Sequence, residues 1–189
     1  MKKIYLISSL LVSMLTCFSQ TYTFDKNHGS LTFSATHFKI SHVEGIFKNF
    51  NATLQSSKDD FSDAVIEMIA DAKSINTNVD MRDNDLKSSN WFDVEKYPSI
   101  IFKSTSFKKT SGDNYKLEGN ITMHGVTKPI VFDVVYNGKA TNPMSKKSMV
   151  GFTVTGKLNR KDFGVGTEKF ESVVGQDIDV KANAEFIIN

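Results

Sequence analysis

Cysteine is nearly absent from this chain: the one cysteine in 189 residues, Cys17, falls within the first 19. From residue 20 onward there is no thiol for a disulfide, a nucleophile or a metal ligand. Charge of one sign is equally scarce. The 23 Lys and Arg, less Lys2 and Lys3, leave 21 against 21 Asp and Glu, which excludes the basic field of a nucleic-acid binder. The pairs Lys108-Lys109 and Lys146-Lys147 read as solvated turns. Past the first residues no apolar run approaches the roughly 20 residues that cross a bilayer, so no integral membrane protein is expected. Also missing are a nucleophile elbow, a phosphate-binding glycine loop and a zinc-protease helix.

Metal chemistry finds little support. His28, His37, His42 and His124 share no spacing that one helix or knuckle would use. Asp80, Asp83 and Asp85 lack the glycine and terminal glutamate of a calcium loop. No catalytic residue, metal or cofactor is therefore assigned. An enzyme stays in view only because catalytic groups can converge from distant strands.

What is present begins with MKKIYLISSLLVSMLTCFS, a basic start, a short apolar run and a small-residue exit. This is a secretory signal peptide, with cleavage expected after Ser19, and it places the mature protein in the periplasm or outside the cell. A lipid anchor on Cys17 is the lesser reading, because Met14-Leu15-Thr16 matches the usual small-residue box poorly. Residues 20–189 then form a single domain long enough for a real core.

Alternation dominates that domain. Leu31, Phe33, Ala35 and His37 share one strand face, as do Ile66, Met68, Ala70 and Ala72, and the series Tyr115, Leu117, Gly119, Ile121 and Met123 follows. In the last strand Ile178, Val180, Ala182, Ala184, Phe186 and Ile188 alternate with a largely polar face. Strands are expected at about 21–26, 30–38, 45–55, 64–73, 99–107, 114–124, 127–137, 148–159 and 177–188, the first two as one bent strand. The segments Ser111 to Asn114, His124-Gly125, Asn137 to Ser148 and Gly164 to Gly166 supply turns. One-sided burial without crossover helices predicts an all-β fold, an eight-stranded antiparallel up-and-down barrel with a short helix at one mouth. A barrel of that size is either filled by side chains or holds one small ligand. Small residues at Ala35, Ala70, Ala72, Gly119, Ala182 and Ala184 favour leftover space.

The helix belongs to RDNDLKSSNWFDVEKYP, Arg82 to Pro98. It is expected from about Met81 to about Ser88, capped by the neighbouring aspartates, and stopped before Pro98. With few apolar positions it must lean on something larger, anchored by Trp91 and Phe92. In Asn159-Arg160-Lys161-Asp162-Phe163-Gly164, a turn stapled by an arginine–carboxylate pair, Arg160 to Asp162 or to another carboxylate, is preferred over a cationic rim for a ligand's phosphate.

These stretches, together with Asp25-x-x-His28, His37, Gly45-x-Phe47, Ser74-Ile75-Asn76-Thr77 and His124 to Pro129, resemble the signature of the YceI-like, polyisoprenoid-binding family of secreted lipocalin-like bacterial proteins. One departure is Gly29, which intervenes before Ser30. The resemblance covers nearly all of the mature chain. It implies a secreted carrier or scavenger that holds a polyisoprenoid or similar long-chain amphiphile in an apolar tunnel. The alternative is a secreted enzyme acting on such a lipid or on a stress metabolite. The candidate walls of the tunnel are Phe33, Ala35, His37, Phe50, Ile66, Met68, Phe102, Leu117 and Phe152, with Leu86, Trp91 and Phe92 at its mouth. Self-association into a homodimer is left open.

Overall fold

The computed structural model describes residues 20–188; the expected signal peptide and Cys17 lie outside the described residues. Eleven strands appear among the described residues: β1 (Gln20–Phe24), β2 (Ser30–His37), β3 (Ser41–Phe47), β4 (Phe50–Ser56), β5 (Val65–Asp71), β6 (Ile75–Asn76), β7 (Ser99–Ser111), β8 (Asn114–Met123), β9 (Val126–Thr141), β10 (Ser148–Asn159) and β11 (Val174–Ile188). The single α-helix among the described residues, α1, spans Asp80–Lys87.

The pairing order β1-β4-β5-β7-β8-β9-β10-β11 closes through β1 and β11 into an eight-stranded antiparallel barrel. The extra strands β2, β3 and β6 are continuations of three bent members. β1 bends into β2, β3 into β4, and β5 into β6 through a 3-10 turn at Ala72–Ser74. Long β11 spans both halves of the first: Phe24 pairs with Phe186, and Phe33 with Val180. Neighbours in space are thus neighbours in sequence, the up-and-down arrangement that removes free sheet edges.

Alternation sets the burial. In β8, Tyr115, Leu117, Ile121 and Met123 are buried while Asn114, Lys116 and Asn120 face out. Two expected turns are shorter than their polar composition implies. β9 runs on to Thr141 with β10 opening at Ser148, and Lys108-Lys109, expected in a turn, extends β7 opposite Lys116 and Tyr115. Long hairpins need only one apolar face, so solvent-facing lysines sit in strand without cost. No helix among the described residues is long and apolar enough to cross a membrane.

Candidate functional site

The barrel interior holds two apolar chambers in line. The upper, beneath α1, has a volume of about 320 Å³ and the lower about 110 Å³. The upper lies within the range of small-molecule sites. Phe33, Ala35, His37, Leu86, Trp91 and Phe92 line the upper chamber; Phe50, Ile66, Phe102, Leu117 and Phe152 line the lower; Met68 borders both. All twelve candidates therefore face the interior. Of the small residues expected to leave space, Ala35, Ala182 and Ala184 do so. Ala70, Ala72 and Gly119 do not, and the ring of Phe102 lies over Gly119, where a Cβ would come within 2.4 Å of it.

The lid is built from two segments. Trp91, 6% exposed, donates from Nε1 to Asp85 Oδ2 at 2.8 Å and stacks on Phe170 with ring centroids 4.6 Å apart. Phe92 packs edge-on against Phe47 at 5.9 Å, and its N–H donates to the Leu86 carbonyl. Asn90 joins the segments: its carbonyl accepts from Thr167 N–H, and its side-chain oxygen from Lys169. Gly166 has φ +80°, and a Cβ there would lie 2.6 Å from both Trp91 and Arg160, so no side chain fits between the two segments.

Arg160 is 2% exposed and reaches no carboxylate by hydrogen bond or ion pair among the described residues, which corrects the expected pairing with Asp162. Its guanidinium instead donates to four backbone carbonyls, those of Val165 (2.8 Å), Gly166, Val174 and Gly175, and lies 5.4 Å over the Trp91 ring. The fork closes both ends of the loop that carries Phe170, a task for which five rigid N–H groups suit better than one carboxylate contact. Burial pulls its pKa below the ordinary arginine value, opposed by Glu171.

The aspartates do not cap α1 as expected. The N-cap is Val79, without a side-chain bond. Asp83, 4% exposed, turns back to accept from Thr77 N–H (2.8 Å), Thr77 Oγ1 (2.6 Å) and Asn76 Nδ2 (3.1 Å). Arg82 donates to Thr77 Oγ1 at 2.7 Å and to its carbonyl at 2.9 Å. A short polar helix with little apolar surface is thereby tied to the end of β6. Ser74 to Thr77 carries part of the family resemblance, but this hub is not legible in the sequence, since nothing local pairs Thr77 with a residue six positions on.

His37 stands at the rim, half-buried, its ring edge against Phe38 at 4.4 Å. His124 lines neither chamber; its Nδ1 lies 3.0 Å from the Phe163 carbonyl. His28 bonds Asp25 at 2.8 Å, and with Glu185 these offer ligand atoms within 4.8 Å of one another, yet none of the three lines a chamber.

The far end of the interior is plugged. Phe61, 3% exposed and at φ +57°, turns in from the loop after β4 to meet Tyr22, Tyr136 and Phe152 with centroids 5.3 to 5.7 Å away. Asp63 holds that loop by accepting from the hydroxyls of Ser56 and Ser57 and from Ser57 N–H. Its carboxyl sits well below the ordinary range, chiefly because of those hydroxyl donors. Among the wall residues missed from sequence, Ile178 and Val180 share the apolar face of β11 and were legible there. Phe47, Phe132, Val165 and Phe170 required the folded chain.

The arrangement is a closed-bottomed, lidded apolar bag. Thr36, His37, Arg82, Asp85 and Arg160 line its upper end, whereas the lower chamber is bordered by apolar residues and the exposed Lys181.

Comparison with known proteins yields consistent matches. Residues 22–186 match the YceI-like domain. A UPF0312 protein of Staphylococcus aureus (strain N315) is 34% identical over 172 residues, covering 89% of this chain and 98% of its own. The crystal structure of a Campylobacter jejuni YCEI protein, 29% identical, superposes with a TM-score of 0.69 over 80% of this chain and 88% of that one. Burkholderia cenocepacia BcnA, 20% identical, gives 0.78 over 86% and 98%. A polyisoprenoid binding domain from Saccharophagus degradans, 13% identical, gives 0.64 over 89% and 98%. The last two share the fold.

Proposed function

Because this chain belongs to the YceI-like family, we propose that it is a binding protein that takes a polyisoprenoid or similar long-chain amphiphile into its barrel and releases it chemically unchanged. The observation that carries this reading is the upper chamber of about 320 Å³, walled by Leu, Phe, Val, Ile and Met side chains and roofed by Trp91 and Phe170. Each methylene buried there contributes about 0.8 kcal/mol, so a long chain binds tightly with few polar contacts. The fold of the S. degradans polyisoprenoid binding domain supports the choice of ligand class. The ligand-binding residues of this reading are the twelve candidates that line the two chambers.

The protein works after export, as a cleaved chain beginning near Gln20, where no membrane helix is needed to reach lipid. Intact-mass analysis of the protein recovered from its native compartment tests that start; a diacylated Cys17 would overturn it.

The function itself is tested by incubating the purified protein with a bacterial lipid extract and identifying by native mass spectrometry what stays bound. One intact amphiphile per chain is the expected result. Recovery of a chemically altered lipid would establish the alternative, an enzyme acting on such a lipid, and no bound lipid would contradict both.

A further inference from the structure

On that reading, we propose that the interior admits a single chain, tail first, and that Met68 sets how far the tail penetrates. The two chambers share five lining residues, Leu31, Met68, Ile121, Phe132 and Val180, which form a neck between them. Polar groups fix the direction. The upper chamber meets Arg82, Asp85, Arg160 and His37, whereas the one charged residue bordering the lower, Lys181, is exposed. A head group finds donors and acceptors above the neck, and below it only carbon.

The neck is stiff on one side and yielding on the other. Phe132 is wedged over Gly156, where a Cβ would lie 2.4 Å from its ring, and it meets Phe102 edge-on at 5.6 Å. Ile121 and Val180 are β-branched strand residues with few rotamers. Met68 is unbranched, with three rotatable bonds and a polarizable sulfur, the side chain best able to yield to a guest. Its neighbours across the sheet are Phe102 on β7 and Ala52 on β4. The small side chain of Ala52 leaves room for the thioether to swing aside, while Phe102 blocks the other direction.

This geometry defines the ligand class. From Ile178 in the upper chamber to Phe186 in the lower, β11 runs roughly 26 Å at about 3.3 Å per residue, a path for one long tail. A diacyl lipid or a sterol would have to force two chains or a fused ring past the wedged phenylalanines. Short tails lodge in the upper chamber, and longer ones displace Met68 to reach the lower.

The test is a chain-length series of n-alkanoic acids, about eight to about twenty-four carbons, titrated into the unvaried protein, Met68→Ala and Met68→Trp. Affinity in the unvaried protein should rise about fourfold per methylene, flatten at the lengths that must move Met68, and rise again. In Met68→Ala the flat region should vanish. In Met68→Trp affinity should stay level beyond it, and melting curves show whether that variant is folded. Diacyl phosphatidylglycerol should fail to displace a bound alkanoate. An unbroken rise in the unvaried protein, or the same break in all three proteins, overturns the role of Met68 and leaves the carrier reading standing. Displacement by the diacyl lipid overturns the single-chain restriction. If neither an alkanoate nor a polyprenol binds at all, the carrier reading fails and this inference with it.

Discussion

At Thr77 three groups of one small residue are committed: the N–H and hydroxyl donate to Asp83, and the hydroxyl and carbonyl accept from Arg82. Asp83→Ala strips the acceptor from two buried donors, which costs about 2–3 kcal/mol. Asp80→Ala removes only an exposed first-turn charge and costs roughly 0.5 kcal/mol. Chemical denaturation of the two variants separates a hub from a cap, since equal losses near 1 kcal/mol would restore the capping role expected from sequence. Trp91→Ala truncates a buried ring that also holds Asp85 and Phe170. It is expected to cost about 3 kcal/mol of stability and to speed ligand release by tenfold or more, about 1.4 kcal/mol of lost wall contact. Trp91→Phe keeps most of the ring surface and is expected to retain ligand better; stopped-flow release of a bound polyprenol makes the comparison.

Among the elements, the loop that carries Phe61 and the lid close opposite ends of the bag by different means. The Phe61 loop depends on the Asp63 carboxylate, whose pKa is depressed by the hydroxyls of Ser56 and Ser57. A depressed carboxyl contributes stability above its unfolded pKa of about 3.9, and that stability is lost as pH falls below it toward the lower folded value. The melting temperature of the unvaried protein should therefore fall more steeply than that of Asp63→Asn as pH drops from about 5 to about 2. Parallel pH profiles for the two proteins would remove Asp63 from this role. The lid depends on Arg160, which donates to carbonyls rather than to an anion. Acid within that range leaves its bonds in place.

For the whole molecule, closure of the barrel was legible in the sequence, because one-sided alternation in β5, β8 and β11 repeats the same demand for burial. The bends that split three barrel members into halves left a weaker trace: residues 27–29 read as a break within one strand, but the seam between β3 and β4 did not. Walls on regular strands, such as Ala35 and Met68, followed from parity. The plug and the lid partners did not, since Phe61 sits in a polar loop at a positive φ and Phe170 meets Trp91 from 79 residues away. Such contacts are set by packing, which local pattern does not encode. The twelve sequence candidates nonetheless fall on the walls of the two chambers, and the carrier reading makes them its ligand contacts. Ala35 lies in the upper wall beside Ile178, and Ala35→Trp would fill that chamber. The most direct measurement is equilibrium binding of a radiolabelled polyprenol to the unvaried protein and to Ala35→Trp, each checked by its melting temperature. One-to-one binding that is lost in the variant while the melting temperature holds is the expected result. Binding kept in Ala35→Trp, or a melting temperature that collapses from overpacking in a protein that bound no polyprenol to begin with, would contradict a lipid-filled interior.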